Sequence, residues 1–191
     1  MTKTTDITEL FGDIVKAVSE DLEIPFPDGK GGTQIVRKPK LNYIFGNSRY
    51  IKEQLDAYSK SSSQSEVKLP LVALFCPVNE ARDSADYFST SKVALIIACS
   101  SRKDWSNVER RVMSFQNILR PIYNRLVDVL LEDVRFDWDF DDKVKHSYSE
   151  NYSYGRYGAY TESGEAVSEP IDAINIRSME ITIKKPNCRL K

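Results

Sequence analysis

Ile7, Leu10, Phe11, Ile14, Val15, Val18 and Leu22 recur at three- and four-residue intervals, the spacing of one helical face. Asp6, with Glu9 three positions on, has the form of a capping box at the start of that helix. Pro25 and Pro27 are expected to end it, because a residue preceding proline is pushed out of the helical region. The DGKGG run at 28–32 then reads as a turn. Residues 33–45 read as extended, with Pro39 marking an interruption or an edge position. Gly46-Asn47-Ser48 opens a second helix, on which Ile51, Leu55 and Tyr58 share a face. SSSQSE at 61–66 has the composition of a surface connection.

Two short apolar runs follow, at 69–78 and 92–100, and their near-continuous hydrophobicity predicts central strands covered on both faces. The polar NEARDSADYFSTS between them reads as a loop or helical turn. The longest element is predicted to begin near Ser106. Ser106 and Glu109 form another S-x-x-E box, and Val108, Val112, Phe115, Leu119, Ile122, Leu126 and Val129 predict one buried stripe over about six turns. Pro121 within it predicts a kink. Residues 134–140 alternate, with Phe136, Trp138 and Phe140 on one side and Asp137, Asp139 and Asp141 on the other, which predicts a strand. A polar excursion at about 143–169 carries Tyr148, Tyr152, Tyr154, Tyr157 and Tyr160. A long strand over 171–183 ends the pattern, and its apolar phase slips between Ile176 and Met179, predicting a bulge near Arg177–Ser178.

Two adjacent strands with no helix between them favour antiparallel pairing. The expected fold class is therefore α+β: a single mixed or antiparallel sheet with helices packed across it, including one long kinked helix at about 106–131. A chain of 191 residues suits one domain, with the tyrosine-rich excursion and a basic C-terminal tail as appendages.

Composition narrows function mainly by exclusion. Hydrophobic residues make up 41%, enough for a real core. No apolar run approaches the roughly 20 residues of a membrane-spanning helix, and the first residues, MTKTTDITELF, lack the pattern of a secretory signal. A soluble protein made in the cytoplasm is the expectation. The net charge of −1 gives no general reason to expect sequence-specific nucleic-acid or membrane-surface binding. Cys76 and Cys99 lie in apolar runs and read as small buried hydrophobes; with Cys188 far away, neither a disulfide framework nor a zinc site is indicated. His146 is the only histidine, so one chain cannot supply two imidazoles.

No catalytic constellation emerges, so the expectation is a protein without catalytic residues, metal or cofactor. Asp137, Asp139 and Asp141 mimic the first ligands of a calcium loop, but Asp142 stands where the loop needs glycine and Tyr148 where it needs glutamate. GKGGT lacks phosphate-loop spacing, and Glu66-Val67-Lys68 is too short a pattern to indicate a metal-dependent nuclease. The uneven distribution of charge carries more. Lys30, Arg37, Lys38, Lys40, Arg49 and Lys52 fall in an acid-free stretch, and Lys184, Lys185, Arg189 and Lys191 form another. Glu132, Asp133, Asp137, Asp139, Asp141 and Asp142 are set against Arg135 alone. Patches of opposite sign suit head-to-tail self-association, and a tyrosine-rich segment suits an interface. Ordinary solvated surfaces are the competing explanation. Asp137, Asp139, Asp141, Tyr154, Tyr157, Lys184, Lys185 and Arg189 are the candidate interface residues.

Three segments in order, LPLVALFCPV, KVALIIACSSRKDWSNVERRVMSFQNILRPIYNRLVDVLL, and YGRYGAY followed by EPIDAINIRSMEITI, together resemble small structural proteins of tailed phages that infect Bacteroidota. The order of elements is similar to the tail-terminator (tail completion) family and related neck proteins. The resemblance covers about residues 41–185. It implies helices on a sheet, homo-oligomeric rings in the virion at the head-proximal end of the tail, and tail-tube and neck or connector proteins as partners. Another connector ring, a monomeric adaptor and a small metal-dependent nuclease are the alternatives.

Overall fold

The computed structural model describes residues 6–27, 33–59, 68–82, 88–138, 143–152 and 170–184. Helix α1 (Ile7–Glu20) begins at Asp6, whose carboxylate accepts the Thr8 backbone N–H at 2.8 Å. The helix ends earlier than the prolines alone would require, because residues 23–27 are taken up in a strand. Strand β1 (Glu23–Pro27) pairs antiparallel with β2 (Thr33–Arg37) as a separate two-stranded ribbon. The single extended segment expected over 33–45 is thus divided at Pro39. Its second part, β3 (Asn42–Gly46), belongs to the main sheet.

That sheet has six strands among the described residues, in the order β3, β4 (Leu71–Phe75), β6 (Phe88–Ser100), β8 (Ile171–Lys184), β7 (Ser147–Asn151), with β5 (Glu80–Arg82) also hydrogen-bonded to β6. The fold is α+β with a mixed sheet. β3 and β4 are parallel, joined by α2 (Ser48–Ser59), whereas β4–β6, β5–β6, β6–β8 and β7–β8 are antiparallel. The parallel pair requires a crossover, and α2 supplies it with Ile51, Leu55 and Tyr58 buried on one face. Strand β4 is buried along its first four residues, as its apolar run predicts, while β6 starts earlier than expected and takes in Phe88–Ser91.

The long helix α3 covers residues 107–132. Ser106 and Glu109 close both arms of the capping box, at 2.7 and 3.2 Å. Its centre, Arg111–Leu119, is a π-helix, and the Arg120 N–H donates to the Phe115 carbonyl, five residues back. This changes the expected stripe. Val108 and Val112 are exposed, at 65% and 36%, while Arg110 and Ser114 are buried in their place. Wider π turns advance the helix less per residue, so residues before Phe115 rotate away from an α-periodic face. From Phe115 onward, Leu119, Ile122, Leu126 and Val129 are buried as predicted. Pro121 sits in the first turn of the following α segment. Its ring crowds the carbonyl four residues back, and the widened turn gives that carbonyl room.

Residues 134–138, the described part of the segment expected as a strand over 134–140, form a single bridge and no strand, and Phe140 lies outside the described residues. Phe136 makes one antiparallel bridge to Ile183, and the Asp137 N–H donates to the Thr182 carbonyl at 2.8 Å. The alternation has a packing origin: Phe136 is buried and stacks on Trp138 with ring centroids 5.4 Å apart, and the Trp138 indole N–H donates to the Leu130 carbonyl. Between β6 and β8, Val93 faces Met179 and Leu95 faces Ile176. Arg177 and Ser178 therefore form the bulge where the apolar phase slips, with Ser178 at φ 52°.

Each face of the sheet has its own core. On the first, α1, β1 and α3 cover Val72, Leu74, Val93, Leu95, Ile97, Ile174, Ile176, Met179 and Ile181. On the second, α2 covers Ala73, Ile96, Ala98 and Ala173. Arg110 and Asp172 pair at 2.9 Å with almost no exposure, and the Arg110 Nε–H donates to Ser101 Oγ, tying the start of α3 to the start of β8.

Candidate subunit interface

The two charged candidates among the described residues, Asp137 and Lys184, are partners in a single pair. Strand β8 ends at Lys184, beside the segment in which Phe136 bridges Ile183. Lys184 Nζ lies 2.9 Å from Asp137 Oδ1, and the Lys184 N–H donates to the Arg135 carbonyl. Two residues expected on separate, complementary patches therefore face each other within one chain. Both side chains remain about half exposed, 47% and 49%, so the pair is a surface contact of about 0–1 kcal/mol. Lys143 and Lys145 line the same shallow depression as Asp137, Trp138 and Glu180, which makes this end of β8 mixed in sign. Asp139, Asp141, Tyr154, Tyr157, Lys185 and Arg189 lie outside the described residues.

The acidic run carries a further internal attachment. Arg135 holds Asp133 at 2.6 Å and Asp13 of α1 at 3.0 Å. Burial alone would raise the Asp133 carboxyl, but the Arg135 hydrogen bonds outweigh it and hold the group below its ordinary value.

At the other border, β7 brings the start of the tyrosine-rich excursion under α3. Its residues pair with β8 so that Tyr148 stands opposite Ile176 and Glu150 opposite Ile174, on the first face of the sheet. Arg120 makes a bidentate contact with Glu150, at 2.7 and 3.1 Å, and the Tyr148 hydroxyl donates to the same carboxylate at 2.6 Å. The Arg120 contact is the largest influence holding Glu150 below its ordinary value. Burial and the neighbouring carboxylate raise the Tyr148 phenol. Tyr148 also meets Tyr123 edge-on at 4.8 Å, and Tyr152 packs on Phe115 at 4.5 Å. These two rings pack on their own helix while staying partly exposed, at 39% and 38%. His146 Nε2 is 2.8 Å from the Tyr123 hydroxyl and Nδ1 is 2.7 Å from the Val144 carbonyl, so the lone histidine is engaged at both nitrogens.

Pro39 marks 33–45 as an edge or interrupted segment, and β3 within it does lie at one border of the sheet, but nothing in the sequence marks β7 as the other, because an edge is defined by the neighbour it lacks. Among the described residues, β3 and β7 are each paired along one side only. They differ in character. β3 reads NYIFG, with Tyr43 donating to the Thr8 carbonyl at 2.9 Å and Phe45 51% exposed. β7 reads SYSEN, polar except for one aromatic ring. Cys99 is buried, and burial followed by the nearby Asp172 raises its thiol pKa; Cys76 is raised chiefly by burial. Neither thiol has the depressed pKa of a nucleophile. Among the described residues no three His, Cys, Asp or Glu side chains converge as a metal site, and no helix is long and apolar enough to cross a membrane. Of the nuclease candidates, Lys68 is exposed and Glu66 lies outside the described residues.

Comparison with protein-family models gives no match, and comparison with curated proteins gives none.

Proposed function

We propose that this chain is a non-enzymatic virion subunit that forms a homo-oligomeric ring, acting as a tail terminator or completion protein at the head–tail junction of a tailed phage. The observation that carries this reading is a pair of unlike edges, apolar β3 and polar β7, at opposite borders of one sheet, each paired on one side only among the described residues. A closed ring built head to tail needs two different surfaces on each subunit, whereas a two-fold dimer uses one surface twice. Short edge strands offer unpaired N–H and C=O groups to a neighbouring chain. The resemblance of the three sequence segments supplies the placement in the virion, and tail-tube and neck proteins are the corresponding partners.

The test is light scattering with negative-stain imaging of the purified chain across a concentration series. Closed rings of uniform mass are expected. A monomer at every concentration, with no annular particles, would overturn self-assembly into a ring. The internal Asp137–Lys184 pair favours a second reading, a monomeric adaptor, because it satisfies within the chain two charges otherwise available to a neighbour. An adaptor would stay monomeric and change mass only when a virion partner is added.

A further inference from the structure

Helix α2 covers only part of the second face, and beside its first turn lies a cleft of about 450 Å³. α2 starts two residues after β3 ends, so its N-terminus stands at the carboxyl ends of the parallel pair β3 and β4. Ser48 lines the cleft there. Asn47 satisfies the next donors, its side chain accepting the Tyr50 N–H at 2.8 Å and its carbonyl the Ile51 N–H at 3.1 Å. The N–H groups of Ser48 and Arg49 have no acceptor within the helix, and the helix dipole adds positive potential at that point.

Opposite this turn, Asn175 lines the cleft from β8. Its neighbours Ile174 and Ile176 belong to the first-face core, so strand alternation puts the Asn175 amide on the cleft side. It is only 4% exposed, and its side chain makes no hydrogen bond with any described residue. A side-chain amide at that position is open to a partner that enters the cleft. Two residues further on, the bulge places Arg177 and Ser178 at the rim, with Ser178 in the left-handed region. Bulges commonly re-aim side chains beside functional sites. Lys92 is held by Glu180 at 2.8 Å, whereas Arg177 is exposed and takes part in no ion pair with a described residue. The unbalanced charge at the cleft is therefore that of Arg177. Phe75 and Ala94 form its apolar floor.

We propose that this cleft binds an oxyanion of the class presented by a phosphate monoester. Its oxygens are received by the Ser48 and Arg49 N–H groups, the Asn175 amide and the Arg177 guanidinium, while the esterified group rests on Phe75 and Ala94. Four donor groups from two elements, α2 and β8, suit the several oxygens of a phosphate better than the two of a carboxylate. The assignment is independent of ring formation.

The test is calorimetric titration of the full chain at low salt with phenyl phosphate, and in parallel with inorganic phosphate and with benzoate. Saturable one-to-one binding is expected, with phenyl phosphate the tightest of the three. Arg177→Gln and Asn175→Leu are each expected to weaken it about tenfold. Thermal unfolding of Arg177→Gln should match the parent chain, so its loss of affinity is not a loss of fold. Absence of saturation up to about 10 mM phenyl phosphate would overturn the site. So would parental affinity in both variants, and benzoate binding as tightly as phenyl phosphate would overturn the phosphate assignment.

Discussion

The two faces of the central sheet are made by the same strands and finished differently. On the first face, large side chains such as Leu74, Leu95, Ile97 and Ile174 meet two helices and the β1 strand. On the second, three of the positions beneath α2 are small, with Ala73, Ala98 and Ala173 set beside Leu71, Ile96 and Ile171 and leaving room for Ile51, Leu55 and Tyr58. Beyond α2 the same face turns polar, through Thr90, Lys92, Glu180 and Thr182. One face is therefore a thick core, and the other a thin core bordered by an open, hydrogen-bonding surface. The first buries the larger set of side chains, and the second borders the proposed anion cleft.

Phe115, fully buried in the π segment, gives the largest contrast. Phe115→Ala is expected to cost about 4 kcal/mol in denaturant unfolding, because a fully buried aromatic ring is removed from the core. A loss below about 1 kcal/mol would show that the first face is less tightly filled than its burial indicates. Ala98→Leu probes the thin core from the opposite direction. Overpacking beneath α2 is expected to cost about 2 kcal/mol, and protection from hydrogen exchange should fall selectively in α2. Equal loss of protection in α1 would deny that the two faces are separable.

The smallest effect is electrostatic, at the β7 border of the first face. Glu150 titrates below its ordinary value of 4.5 in the folded chain. Its contribution to stability is therefore complete above pH 4.5 and lost as the pH falls through the depressed folded value. With Arg120 38% exposed, that contribution is expected to be no more than about 1 kcal/mol. Glu150→Gln should flatten this part of the acid limb in unfolding curves measured from pH 7 to pH 3. An unchanged limb would mean that the pair does not couple to folding.

Much of this architecture is legible in the sequence wherever one local period governs. The α2 face, the Ser106 box, the buried β4 run and the bulge at Arg177–Ser178 all follow from spacing alone. The departures arise where a distant partner decides. Residues 33–45 are divided because β2 finds β1 while β3 finds β4, and neither pairing leaves a local mark. Residues 134–138 alternate because Phe136 and Trp138 pack on β8 and α3, so period two appears with a single bridge. Val108 and Val112 fit an α-period that the π segment abandons. Asp137 and Lys184 look like separate patches because their proximity depends on how 135–137 lies along β8. Asn175 is still harder to find, being an unremarkable polar residue in an apolar strand until its neighbours across the sheet are known.

The π segment of α3 has one more consequence. A π turn is geometrically an α-helix that has absorbed an extra residue, with the surplus taken up as local widening instead of being passed down the chain. α3 therefore works as two rotors on one shaft. The part after Leu119 is locked against the sheet by Ile122, Leu126 and Val129, while the part before Phe115 is indexed separately, so that Arg110 meets Asp172. Deleting a single residue within 111–119 would remove that surplus and leave an unbroken α-helix with both rotors in their present settings. Arg110 would keep its buried pairing with Asp172, and Val108 would stay turned to solvent. The helix thus carries a built-in length tolerance at its centre, and the Arg110–Asp172 pair acts as the index mark that fixes which setting is used.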